Sequence, residues 1–217
     1  MEKVALIVAG GKGERMNSKT PKQFLPLNNM PILMYSILLF SDFDKILVAL
    51  PKTQIKYWQN LCEKIGFNEK HIIVEGGSSR FNSVKNGLDK IKNNSIVAIH
   101  DGVRPLATKS LLNNLMSKTK KGFGIIPVIP IKDSMRRIDQ GLSERIDRDN
   151  MFAVQTPQCF MSNDIKNAYQ QDYNKNFTDD ASVFENNGGE ILSICGEAYN
   201  LKITEKKDLE IAEIFIK

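Results

Sequence analysis

The chain is poor in the residues that build metal cages and covalent staples. Among 217 residues there are three cysteines, two histidines and one tryptophan. Cys62, Cys159 and Cys195 are odd in number and show no C-x-x-C spacing, so neither a disulfide framework nor a zinc site is expected. His71 and His100 are too few for a His-rich metal centre. No apolar run approaches the ~18–20 residues of a membrane span, and the opening run Val4 to Ala9 is too short for the core of a secretory signal. The expectation is a soluble cytoplasmic protein without a membrane partner. No basic run exceeds two residues, although 30 Lys and Arg face 25 Asp and Glu for a net charge of +5. The excess suits a pocket for phosphorylated small molecules, and no nucleic-acid partner is expected.

What is present is ordinary globular composition, 41% hydrophobic and 25% charged, which excludes a disordered or collagen-like chain. The length suits one domain with a core that needs no staples. Short β-type runs at Val4 to Ala9, Lys45 to Leu50, His71 to Glu75, Ile96 to His100 and Gly124 to Val128 alternate with helical patterns, the signature of a parallel sheet with crossover helices. Ile55, Trp58, Cys62 and Ile65 form one helical stripe, and Phe81, Val84, Leu88 and Ile91 another; both read as core. Thr108 reads as the N-cap of a helix carrying Leu111, Leu112, Leu115 and Met116.

From Ile131 to Ile146 charged residues dominate, and Asp139-Gln140-Gly141 reads as a turn between two polar strands. So polar a hairpin cannot lie in a core and should project as an arm, either a solvated ribbon or a surface that embraces a second subunit. The chain should return through Met151 to Phe160, with helices near Asn163 to Gln171 and Thr178 to Asn186, a strand near Glu190 to Cys195 and a last helix after Thr204. No internal repeat or linker divides it, so one domain is expected over residues 1–217, with the arm at about 131–150.

The first strand runs into Ala9-Gly10-Gly11-Lys12-Gly13-Glu14-Arg15, then Pro21-Lys22-Gln23. Glycines there let the backbone approach a phosphate and aim N–H groups at it. The P-loop pattern is absent, and a dinucleotide fingerprint fails at Met16 and at Leu50-Pro51. What remains is either an ordinary β-to-α connection or a nucleotidyltransferase loop. In the latter, Arg15 forks phosphate oxygens and Lys22 adds a point charge. Gly76-Gly77-Ser78-Ser79-Arg80, leading to Ser83, is either a tight turn with a capping serine or a loop that reads a base edge. Asp101, in His100-Asp101-Gly102-Val103-Arg104-Pro105, ends a strand at the edge where α/β ligands sit. It could hold a hard cation that bridges nucleotide phosphates, or pair with Arg104.

These segments, together with K-D-S-M-R-R, I-D-R, Q-T-P-Q, F-T-D-D-A-S and N-L-K-I-T, resemble in order and spacing the 2-C-methyl-D-erythritol 4-phosphate cytidylyltransferases of the non-mevalonate isoprenoid pathway. The resemblance covers nearly the whole chain. It implies an α/β, Rossmann-like nucleotidyltransferase fold, a homodimer built through the arm, and Mg²⁺-dependent joining of CTP to a sugar-alcohol phosphate with release of pyrophosphate. The substrate's own phosphate is the nucleophile. By the same resemblance Arg15, Lys22, Arg148 and Lys202 are the catalytic residues. Ala9, Gly10, Gly11, Gly13, Gly77, Ser78, Ser83 and Asp101 hold the nucleotide, with Asp101 also on its metal. Ser134, Arg148, Thr156 and Thr178 contact the second substrate, Arg148 from the neighbouring subunit. Thr178 reads equally as a helix N-cap.

The sequence departs from the family at Ser134, where threonine is usual, at Ser78 and Tyr199, where some members carry carboxylates, and at Gly102-Val103, where two alanines are commoner. Two further readings remain at this point: a ribitol-5-phosphate cytidylyltransferase with the same nucleotide half, and a nucleotide-binding protein without catalysis.

Overall fold

A computed structural model describes residues 1–10 and 20–216. The elements run β1 (Lys3–Val8), a 3-10 turn (Lys22–Phe24), β2 (Pro26–Leu27), β3 (Met30–Pro31), α1 (Ile32–Leu38), β4 (Lys45–Leu50), α2 (Lys52–Ile65), β5 (Ile72–Glu75), α3 (Arg80–Leu88), β6 (Ile96–Asp101), α4 (Lys109–Lys118) and β7 (Phe123–Pro130). After these come β8 (Met135–Asp139), β9 (Leu142–Ile146), β10 (Phe152–Val154), β11 (Gln158–Met161), α5 (Ser162–Ala168), α6 (Asp180–Asn186), β12 (Glu190–Cys195) and α7 (Lys206–Phe215).

β1 lies between β4 and β6, parallel to both, and β5 extends the parallel set beyond β4. On the other side β11 runs antiparallel between β6 and β7. Ile125 pairs with both Cys159 and Leu192, so β11 and β12 flank β7 on opposite sides, β12 parallel to it. The strands expected from the sequence are β1, β4, β5, β6, β7 and β12, with ends shifted by a residue or so.

Period-two alternation divides the core between the two faces of this sheet. Ala5 and Ile7 of β1 join Phe24, Met34, Phe40, Trp58, Leu112 and Leu115 on one face. Val4, Leu6 and Val8 join Phe81, Val84, Leu88, Phe160, Tyr169 and Phe184 on the other. Both faces are covered, and for that reason β1 reads as an unbroken apolar run. The sequence reading had no helix at Ile32–Leu38. Five of that helix's seven residues are buried, so it shows no polar face and no helical period.

β8 and β9 pair only with each other and stand out from the sheet on polar, largely exposed residues. Gln140 and Gly141 both have positive φ, 46° and 84°, as a two-residue hairpin turn requires. Among the described residues no helix is long and apolar enough to cross a membrane.

Because β1, β4, β5 and β6 are parallel, their carboxyl ends share one edge. That edge brings Ala9 and Gly10, Leu50, Glu75 to Gly77, and Asp101 together, the place where open α/β sheets take ligands.

Candidate active site

A cavity of about 650 Å³ opens at this edge, lined among others by Ala9, Gly10, Lys22, Gln23, Gln54, Gly77, Ser78, Ser83, Asp101 and Lys202. Gln23 is buried and donates from Nε2 to the Ala9 carbonyl at 2.8 Å and to Gln54 Oε1 at 2.6 Å, which ties the end of β1 to the 3-10 turn and to α2. The same turn carries Lys22, whose Nζ donates to the Ile203 carbonyl at 3.2 Å. Gly11, Gly13 and Arg15 lie outside the described residues.

The opposite wall is the loop entering α3. Ser79 caps that helix, its side chain accepting from Asn82 N. Ser83 Oγ donates to the Ser79 carbonyl at 2.8 Å and accepts from Gly77 N at 3.1 Å. Its hydroxyl therefore sets the loop's shape, while exposed Ser78 borders the open cavity. A Cβ on Gly77 would stand 2.3 Å from Asn82 Cβ and 2.9 Å from its carbonyl carbon, so the backbone packs against α3 where only glycine fits.

Asp101, 6% exposed, is the hub. Its Oδ2 lies 3.0 Å from Lys202 Nζ and 3.4 Å from Arg104 Nε, and its Oδ1 lies 3.5 Å from Arg80 Nε. Burial alone would raise the carboxyl, but Arg80, Lys202 and Arg104 outweigh it and hold Asp101 well below the usual carboxylate range. Among the described residues no three His, Cys, Asp or Glu side chains are grouped to hold a metal ion. Three positive charges stand at the Asp101 oxygens, so the carboxylate is an ion-pair hub in this structure.

A second cavity of about 530 Å³ lies on the far side of Asp101, lined by Arg104, Gln155, Thr156, Gln158, Thr178, Asp179 and Ser182 among others. Arg80, Asp101 and Lys202 belong to both cavities and form the wall between them. His100 is fully buried, and its Nε2 meets the Arg104 carbonyl at 3.1 Å. A carbonyl only accepts, so Nε2 carries the proton and Nδ1 accepts from Thr156 Oγ1 at 3.1 Å. Burial, assisted by Arg104 and Arg80, pushes the His100 pKa down to about 4. Thr156 Oγ1 also accepts from Asp101 N at 3.0 Å. The hydroxyl expected to contact substrate thus has its proton engaged inside the fold and fixes the Asp101 backbone.

Gln155 and Gln158 of Q-T-P-Q were not singled out in the sequence. Gln155 Nε2 donates to the Glu197 carbonyl at 2.8 Å, and Gln158 Nε2 donates to Asp179 Oδ2 at 2.8 Å, so the pair braces the second cavity. Asp179, rather than Thr178, caps α6, accepting from Ser182 N in a capping box. Thr178 lies outside the helix, exposed at the cavity rim.

Ser134 and Arg148 are exposed at the arm and line neither cavity of their own chain. Arg148 Nη1 donates to the Lys132 carbonyl. Of the expected site residues, Ala9, Gly10, Lys22, Gly77, Ser78, Ser83, Asp101, Thr156, Thr178 and Lys202 gather around the shared wall, and these two do not.

Residues 3–217 match the family model described as 2-C-methyl-D-erythritol 4-phosphate cytidylyltransferase. Similar proteins carrying that name include one from Azobacteroides pseudotrichonymphae, 44% identical with 99% of each chain covered. Another is from Phocaeicola vulgatus, 42% identical over the full length of both. Among solved structures, the enzyme of that name from Francisella tularensis superposes with a TM-score of 0.82 at 30% identity, covering 99% of each chain.

Proposed function

The chain belongs to the 2-C-methyl-D-erythritol 4-phosphate cytidylyltransferase family, and we propose that its two cavities hold CTP and methylerythritol phosphate on either side of Asp101 and Lys202. The reaction transfers CMP from CTP to the substrate phosphate, giving 4-diphosphocytidyl-2-C-methyl-D-erythritol and pyrophosphate. The observation that carries this reading is the wall of Arg80, Asp101 and Lys202 common to both cavities, since two substrates that must react need one shared boundary.

An oxygen of the substrate phosphate attacks the α-phosphorus of CTP, and the bond from that phosphorus to the bridging oxygen of pyrophosphate breaks. The nucleophile arrives already ionised, so no protein base is required. The protein's task is to place two anions together and to stabilise the charge that builds up. Lys202 at the wall serves the α-phosphate, and Lys22 and Arg15 serve the departing pyrophosphate. The loop from Gly76 to Ser83 takes the cytosine through backbone groups at close approach, which favours a pyrimidine over a purine. A Mg²⁺ ion bound with CTP would neutralise charge on the triphosphate, with Asp101 acting beside it as the ion-pair hub of Arg80, Arg104 and Lys202.

We further assign the chain to a single nucleotidyltransferase domain that works as a homodimer. Ile138 and Leu142, on opposite faces of the arm, and Phe152 beside it are 64%, 79% and 52% exposed, apolar side chains that a second copy embraced by the arm would cover. Such a partner would bring Arg148 and Ser134 to the methylerythritol phosphate. The test of the reaction is to supply CTP and Mg²⁺ with either methylerythritol phosphate or ribitol phosphate. The methylerythritol product with release of pyrophosphate is expected; product from ribitol phosphate alone would overturn the substrate, and no nucleotidyl transfer would overturn the activity.

A further inference from the structure

Arg80 stands in the wall between the cavities, yet its guanidinium is already committed. Nη1 and Nη2 donate to Asp180 Oδ1 and Oδ2 at 2.8 and 2.7 Å, a two-point fork. Asp180 is completely buried, and Tyr169 Oη donates to its Oδ1 at 2.6 Å. Tyr169 is held in turn by Phe81, the residue after Arg80, in a stack with centroids 4.7 Å apart. Of the donors that the fork leaves, Nε faces Asp101 Oδ1 at 3.5 Å.

A buried ion pair is weak evidence for stability, because desolvating two charges costs several kcal/mol that the contact repays only with good geometry. Its position gives it a different use. Asp180, the first residue of α6, holds both Nη atoms of a side chain that starts α3, and the Nε edge faces one oxygen of Asp101 while the other oxygen meets Lys202. We propose that Arg80, locked by Asp180 and Tyr169, is a positioning residue: it fixes the Asp101 carboxylate and through it aims the Lys202 ammonium at the boundary where the two substrates meet. Arg80 does not bind phosphate in this assignment. Asp180 neutralises and immobilises it, so that beside the reacting phosphates it acts through Asp101.

The inference rests on the reaction proposed above, and its test keeps the two apart. CTP binding and turnover are measured for the full-length wild type, Asp180→Asn, Lys202→Ala and the double variant, each first shown to be folded by its circular dichroism. Asp180→Asn is expected to lower kcat on the order of 10-fold or more while the Kd for CTP stays within about threefold. In the Lys202→Ala background the same change is expected to cost no more than about threefold, because both act through one ammonium. A folded Asp180→Asn enzyme with kcat within threefold of wild type, or a loss that multiplies fully onto Lys202→Ala, overturns the proposal. Should Asp180→Asn fail to fold, Tyr169→Phe, which removes one donor to Asp180, carries the same cycle with a loss of about 3- to 10-fold; unchanged kcat there is the contrary result. A wild-type enzyme that makes no product would overturn the reaction, whereas active variants beside an active wild type overturn only the positioning role.

Discussion

Lys202 Nζ lies 3.0 Å from Asp101 Oδ2, so a lysine from the segment before the last helix meets a carboxylate at the end of a central strand. The contact lies in the boundary that the two cavities share and holds an ammonium there. Replacing Asp101 by Asn should cut kcat by on the order of 10² or more, as expected when a preorganised charge is lost. Since Asp101 pairs with cations, raising Mg²⁺ should not restore the rate. Recovery at high Mg²⁺ would return Asp101 to the role of metal ligand.

Lys22 stands on the 3-10 turn, tethered to the Ile203 carbonyl. Lys22→Ala is expected to lower kcat by on the order of 10² with little change in CTP affinity, because the charge it meets grows during pyrophosphate departure. Steady-state kinetics beside calorimetry checks this. A change confined to KM would assign Lys22 to ground-state binding.

Gly77 admits no side chain, its would-be Cβ standing 2.3 Å from Asn82 Cβ. Gly77→Ala should displace the loop from the first turn of α3, raise KM for CTP about 10-fold or more and cost about 1–3 kcal/mol of stability. Thermal melts with and without CTP separate the two effects.

His100 is buried neutral, its pKa pushed from 6.5 down to about 4. The unfolded chain therefore binds more protons than the folded one between those values, and stability must fall as pH falls through that window. The loss attributable to His100 amounts to about 3 kcal/mol by pH 4. Asp101 contributes in the same direction at lower pH, because its depressed carboxyl loses its stabilising pairs on protonation. Urea melts from pH 7 to pH 4 should show this slope, and His100→Gln should flatten its upper part.

Much of the fold was legible because its parallel strands are short, continuous apolar runs and its outer helices show one stripe each. The arm was legible from its polarity and from Gln140-Gly141. The helix at Ile32–Leu38 escaped because it is buried nearly all round. In the site, glycines and isolated basic residues marked one cavity, and Arg104, three residues after Asp101, was foreseen as its partner; Arg80, at the start of α3, and Lys202, far along the chain, are brought to Asp101 by topology. The Arg80–Asp180 fork had both ends in recognisable segments, and nothing in the order of residues says that α3 and α6 begin side by side. For Thr156 a hydroxyl was foreseen, while its bonds to His100 and to the Asp101 backbone emerge only in three dimensions.

Arg148 lies outside both cavities of its own chain, on an arm whose apolar residues face outward. If a partner's arm completes the site, Arg148→Ala should impair methylerythritol phosphate use far more than CTP binding, since a guanidinium fork to phosphate is lost. Mixing Arg148→Ala chains with Lys22→Ala chains should restore activity, because one site of each mixed dimer then has both groups. Exchange of subunits without recovery would confine Arg148 to its own subunit or exclude it from catalysis.

Two substrates are expected to meet across the wall of Arg80, Asp101 and Lys202. The most direct measurement is a crystal structure with a non-hydrolysable CTP analogue and methylerythritol phosphate bound together. The nucleotide is expected in the cavity of Gly10, Gly77 and Ser78 and the sugar-alcohol phosphate in the cavity of Thr156 and Gln155. Its phosphate oxygen should stand about 3–3.5 Å from the α-phosphorus, with Lys202 Nζ beside both. Both ligands in one cavity, or an α-phosphate remote from Lys202, would contradict this arrangement.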